Sequence, residues 1–137
     1  MNTNDQDIKK ILQDYKKLTV IGLSPDDSKP SHKVPLFLKS KGFDAVGIYP
    51  EKKQIGPFQI FNSLAEVPAD YRKFVDIFRK SDHIPEIVDE LIRLGGTEVL
   101  WLQLGVTHPE AEKRAEAAGM KVVSNRCPHI EYERLFN

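Results

Sequence analysis

Five short apolar runs that alternate with helical stretches predict an α/β fold, a doubly wound three-layer sandwich around a mostly parallel five-stranded sheet. Two further features of the chain support that class. The runs are continuously apolar rather than alternating, as strands buried on both faces of a parallel sheet must be. Each pair of runs is also separated by enough chain for a right-handed crossover helix. The 137 residues show no repeat, linker or low-complexity tract, so a single domain over 1–137 is expected.

The elements follow in order. Residues 7–17 place Ile8, Ile11, Leu12 and Tyr15 at helical spacing, so a short helix within residues 1–17 packs on the domain. Residues 18–23 read as the first buried strand. A loop rich in turn residues, Ser24-Pro25-Asp26-Asp27-Ser28-Lys29-Pro30, leads to a helix that starts at Ser31 and closes at Gly42. Residues 45–49 form the second strand, ended by Pro50. Residues 51–62 read as irregular with one candidate strand, and Ser63 caps a brief turn. The third strand is 74–78. Residues 82–94 are amphipathic through Ile84, Ile87, Val88, Leu91 and Ile92, and end on Gly95-Gly96. Strand 99–104, helix 109–118 stopped by Gly119, strand 121–124 and a last helix over 128–135 complete the chain.

Charge narrows the functional classes. Lys plus Arg number 20, as do Asp plus Glu, and neither sign is clustered, which gives no footprint for nucleic acid or an anionic membrane. An anionic ligand must therefore be held locally. The single cysteine, Cys127, has no internal disulfide partner, and the first residues lack the apolar run of a secretory signal. A cytoplasmic location is expected. No apolar run approaches the roughly 20 residues of a membrane-spanning helix.

In open parallel sheets the ligand crevice lies beyond the carboxyl ends of the strands. After the first strand, Gly22-Leu23-Ser24 turns sharply, and the loop delivers Ser28, Lys29, Ser31 and His32 to a helix N-terminus, where free N–H groups attract anions. The sequence is not a P-loop, and of G-x-G-x-x-G only Gly22 is present, which disfavours ordinary NAD binding. The plainer reading is that Ser31 caps the helix and Lys29 is solvated. After the third strand, Arg79 can pair with a phosphate or lie in water, and Ser81 or Asp82 can cap the next helix. After the fourth, Gln103 can read an amide or carbonyl and Gly105 permits close backbone approach, while Trp101 reads as core. Cys127 sits beside Arg126 and near a helix start, both of which lower a thiol pKa, although a buried, inert cysteine fits as well. His32, His83, His108 and His129 form no metal-ligand pattern, no G-x-S-x-G is present, and Glu131 with Glu133 reads as a solvated face. No catalytic or metal-binding residue is assigned.

Together these segments resemble the small bacterial CoA-binding domain proteins, stand-alone relatives of the CoA-binding domain of the succinyl-CoA synthetase alpha subunit. The resemblance covers about residues 18–135. Its marks are Val20-Ile21-Gly22-Leu23-Ser24, Lys29-Pro30-Ser31-His32-Lys33-Val34, Gly42-Phe43, Ile48-Tyr49-Pro50, Val75-Asp76-Ile77-Phe78-Arg79, Trp101-Leu102-Gln103-Leu104-Gly105-Val106 and Arg126-Cys127-Pro128 with Glu131. It implies a Rossmann-like fold that binds coenzyme A or an acyl-CoA, with Gly22, Ser24, Ser28, Lys29, Ser31 and His32 around the phosphates. Tyr49, Pro50, Phe78 and Arg79 then line the nucleotide, with Gln103 and Gly105 on the next strand end. Lys29, Lys33 and Arg79 suit the phosphate charge. The function implied is a CoA-binding or sensing module without a complete active site, acting as a homodimer by default or with a protein partner. Two alternatives stand beside it: an acyl-CoA or thiol-redox enzyme using Cys127, and a nucleotide-free interaction domain, suggested by Tyr49 and Asn125 where the family commonly has Asn and Asp. Ligase activity is not expected, because the synthetase's phosphorylated histidine lies in another domain.

Overall fold

A computed structural model describes residues 3–136. Helix α1 (Asp5–Asp14) starts earlier than the apolar spacing indicates, because the Asn4 side chain accepts the Asp7 N–H. It stops at the extended Tyr15, so Lys17 already opens β1 (Lys17–Ile21). Helix α2 (Pro30–Ser40) begins one residue before Ser31, with Lys29 in the cap position and proline at the first helical position. Ser31 is therefore not the cap. Strand β2 (Asp44–Ile48) follows.

The stretch 51–62 holds two strands where one was expected, β3 (Gln54–Ile55) and β4 (Phe58–Phe61), joined by the two-residue turn Gly56-Pro57. Gly56 has φ +54°, the sign a tight hairpin requires at its first turn position. After a 3-10 turn at Leu64–Glu66 come the short α3 (Ala69–Arg72), β5 (Phe74–Ile77), α4 (Ile84–Leu94), β6 (Val99–Leu102), α5 (Pro109–Ala117), β7 (Lys121–Val123) and α6 (Pro128–Phe136). Neither Ser81 nor Asp82 caps α4. The Ser81 hydroxyl instead accepts the Thr107 N–H at 3.1 Å, tying the loop after β5 to the loop after β6.

The sheet has seven strands rather than five, in the order β3-β4-β2-β1-β5-β6-β7, and every pairing except β3 with β4 is parallel. The chain runs from β1 out through β2 to β4, then crosses back to place β5 on the other side of β1. That reversal at β1 is the switch point of a Rossmann-like sheet. Helices α1, α2 and α6 pack on one face, over Val20, Phe74 and the fully buried Trp101, whose Nε1–H donates to the Arg126 carbonyl at 2.8 Å. Helices α4 and α5 cover Ile21, Val75, Ile77, Leu100 and Leu102 on the other. Glu131, expected on a solvated face, is buried between Arg126 (3.0 Å) and Arg134 (2.7 Å), and Arg134 also grips Asp5, locking α6 to α1.

Two positions inside the sheet are tightly constrained. A Cβ on Gly47 would lie 2.7 Å from Ile60 Cδ1 and 2.9 Å from Leu23 Cβ. Asp76, in the middle of β5 with Val20 and Trp101 on either side, is fully buried, and that burial pushes its carboxyl up to about 7 against the opposing pull of the Gln103 amide. Gly47→Ala is expected to destabilise the fold by about 1–3 kcal/mol through overpacking, read as a lower urea midpoint at unchanged slope. For Asp76 the folded-state pKa lies above the unfolded one, 3.8, so folding takes up a proton between these values. Wild-type stability therefore falls relative to Asp76→Asn as pH rises from about 4 through about 7, by up to about 4 kcal/mol, and the difference stays flat above that. Parallel urea titrations of the two proteins across that range check it; a pH-independent difference contradicts it.

Candidate functional site

The site forms where three strand ends meet flush. Gly22 donates its N–H to the Ile48 carbonyl (3.0 Å), and Phe78 donates to the Ile21 carbonyl (2.9 Å), so the loops after β1, β2 and β5 leave the sheet at one level. Gly22 adopts φ +87°, and a Cβ there would fall 2.6 Å from the Phe78 carbonyl oxygen, so no larger residue permits this approach. In front lies a cleft of about 1010 Å³, at the upper end of the range for small-ligand sites. Gly22, Ser24, Lys29 and Ser31 line it from the first loop, Tyr49 and Pro50 from the second, and Phe78 and Arg79 from the third, all of them expected from the sequence. Glu51, Lys52 and Asn62 line it as well.

The first loop is held by its own hydrogen bonds. Ser24 donates its N–H to the Ser31 carbonyl (3.3 Å), and its hydroxyl accepts the Asp26 N–H (3.0 Å). The Asp26 carboxylate in turn accepts both the N–H (3.0 Å) and the hydroxyl (2.6 Å) of Ser28, which holds its pKa below the ordinary value. His32 is buried, with Nδ1 donating to the Ser24 carbonyl at 2.7 Å. Ser28 and His32 therefore brace the loop and do not line the cleft.

At the start of α2, Pro30 has no N–H, and those of His32 and Lys33 both bond to the Lys29 carbonyl (2.9 and 3.0 Å). The Ser31 N–H is left without a partner among the described residues, beside a Ser31 side chain that lines the cleft. The three cations on the cleft are Lys29, Lys52 and Arg79; Lys33, expected among them, is exposed outside it. Lys52 is not among the residues expected from the sequence; its signal there is a cation two residues after the proline that ends a parallel strand.

Gly105 also lies outside the cleft. Its N–H donates to Asn125 Oδ1 at 2.7 Å, and both residues hold left-handed backbone, φ +80° and +58°, which Asn tolerates better than most side chains. Gln103 lines a smaller neighbouring pocket of about 360 Å³, together with Cys127 and the apolar residues Pro30, Phe78, Leu104 and Val106. Of the two readings of Cys127, the structure supports the buried one. Burial pushes the thiol pKa up, and this outweighs the pull of the His129 and Ile130 N–H groups, while the Arg126 guanidinium is engaged by Glu131. The partner that orients Gln103, Asp76, was not singled out as a site residue, although an acid interrupting the buried apolar run 74–78 was its signal. Among the described residues no His, Cys, Asp and Glu side chains group closely enough to hold a metal ion, and no helix is long and apolar enough to cross a membrane.

Residues 16–133 match the family model described as the CoA binding domain. The chain is 28% identical over 133 residues to the uncharacterized protein YneT of Bacillus subtilis (strain 168), covering 96% of each. Two solved structures are similar in sequence and in fold. A hypothetical protein from Pyrococcus horikoshii OT3 has a TM-score of 0.92 at 32% identity and covers 99% of this chain and 94% of its own. The protein called cell-free ID.343, from Thermus thermophilus, has a TM-score of 0.88 at 32% identity and covers 98% of this chain and 100% of its own. The family match takes in every strand of the sheet and every loop that lines the cleft, and on that ground the chain belongs to the CoA binding domain family.

Proposed function

We propose that the cleft binds coenzyme A or an acyl-CoA, and that the protein is a stand-alone binding or sensing module rather than a complete enzyme. The observation that carries this reading is that Lys29, Lys52 and Arg79, from three separate loops, line one cleft together with Ser31 at the start of α2. A 3′-phosphate and a diphosphate need such a set of cations and backbone donors, and the chain's zero net charge means that the attraction is local. Tyr49, Pro50 and Phe78 supply apolar surface for the adenosine. Family membership favours the same ligand.

The enzymatic alternative has less support. A thioester or disulfide step requires a thiolate, and burial raises the pKa of Cys127. A sensing role calls for a partner that distinguishes loaded from empty protein, in a cytoplasmic setting where CoA is found.

Calorimetric titration with CoA, acetyl-CoA and NAD tests the reading. CoA and acetyl-CoA are expected to bind at about micromolar concentration and NAD far more weakly; a Lys29→Ala, Ser31→Ala double variant is expected to lose about 10–100-fold in CoA affinity, the equivalent of one charge-assisted hydrogen bond. Equal binding of NAD, or a variant that binds CoA as tightly as wild type, overturns it.

A further inference from the structure

We infer that the apolar pocket beside the cleft receives the amide-bearing arm of the ligand, and that Gln103, oriented by Asp76, accepts a hydrogen bond there from a ligand amide N–H. The inference rests on the CoA reading of the main cleft and goes beyond it to the chemistry that the second pocket selects.

The two cavities adjoin. Lys29, Ser31 and Phe78 line both, so a molecule whose phosphates sit in the larger one has the smaller within reach of an extended arm. The second pocket is walled by Pro30, Phe78 and Val106, with Leu104, 57% exposed, at its rim. That apolar lining suits methylene groups.

Besides Lys29 and Ser31, which this pocket shares with the main cleft, its polar group is Gln103. It is only 5% exposed, and its Nε2 donates to both carboxylate oxygens of Asp76, at 2.8 and 3.1 Å. Its Oε1 has no partner among the described residues, and the residue lines the pocket. An ionised carboxylate can only accept, so it draws the NH₂ group inward and leaves the amide oxygen as the group offered to a ligand. An accessible acceptor on a largely apolar pocket wall favours a ligand that brings an N–H and disfavours one that brings another acceptor. An amide-linked aliphatic arm supplies both the N–H and the apolar length.

Asp76 is thus a positioning residue, and its protonation has a defined consequence. A protonated carboxyl becomes a donor, so the Gln103 amide can turn and present its NH₂ to the pocket instead. The surroundings add little competing charge. Val20 and Trp101 flank Asp76 in the sheet, Cys127 approaches from the start of α6 with Glu131 behind it, and Lys29 stands on the pocket wall from the start of α2. Burial places the Asp76 titration at about 7. Affinity for the amide-bearing arm should therefore rise with pH through neutrality.

Acetyl-CoA, which has no free thiol to titrate, and adenosine 3′,5′-bisphosphate, which lacks the arm, are to be titrated into wild type, Asp76→Asn and Gln103→Leu between about pH 6 and about pH 8.5. Each ligand is compared across the three proteins, so that phosphate titration cancels. For acetyl-CoA, wild-type affinity is expected to gain roughly fivefold over that range relative to Asp76→Asn, and Gln103→Leu to lose roughly fivefold at the alkaline end, the effect of one hydrogen bond. For the bisphosphate, the three proteins are expected to coincide. If the bisphosphate binds and acetyl-CoA shows no difference among the proteins, or if wild-type affinity for acetyl-CoA falls with pH relative to Asp76→Asn, the arm does not meet Gln103 as described. Failure of both ligands to bind wild type overturns the reading of the main cleft and this inference with it. Should Asp76→Asn fail to fold, Gln103→Leu against wild type decides the matter through the same pH profile.

Discussion

The carbonyl oxygen of Phe78 lies 2.6 Å from the point where residue 22 would carry a Cβ, and the geometry of the ligand cleft follows from that contact. It brings the loops after β1 and β5 together at the position where the strand order reverses, and the hydrogen bond from Gly22 to Ile48 adds the end of β2 to the same ledge. Cations from three loops then face one volume. With any side chain at residue 22 the loops would part, and Lys29 and Arg79 would no longer line one cleft.

The first loop is largely preorganised. Ser24, Asp26, Ser28 and His32 spend their polar groups on one another, so the segment that presents Lys29 and Ser31 is ordered by its own hydrogen bonds. Little ordering entropy is then left to offset in the binding we propose there. The acidic residue inside this loop belongs to the same logic. Asp26 lies in the segment that presents Lys29, and its charge is satisfied by two donors from Ser28, which keeps the loop closed.

The parallel sheet was legible in the sequence because strands buried on both faces show as unbroken apolar runs, and the first loop was legible because its Gly, Ser, Lys and Pro residues sit immediately after one of them. What could not be read depends on contacts between distant residues. Ser28 and His32 look like ligand groups in sequence, and only the folded loop shows Ser28 turned to Asp26 and His32 turned to Ser24. Glu131 looks solvated on its own short helix until Arg126 and Arg134 close over it. Cys127 illustrates a competition of magnitudes, since a helix start and an arginine both lower a thiol pKa, but the arginine is committed elsewhere and burial prevails. The β3–β4 hairpin was partly missed because strands of two and four residues carry too few alternations to register.

The small hairpin also bears on how the protein behaves in a crowded solution. A parallel sheet that ended at β4 would present a free row of backbone donors and acceptors on a strand carrying the apolar Phe58 and Ile60, a ready template for a neighbouring molecule. Strand β3 covers that row with only two residues and then leaves the sheet, so the new edge it creates is too short to recruit another strand. The fold thereby terminates its own sheet on that side, in a blunt end rather than a growing face.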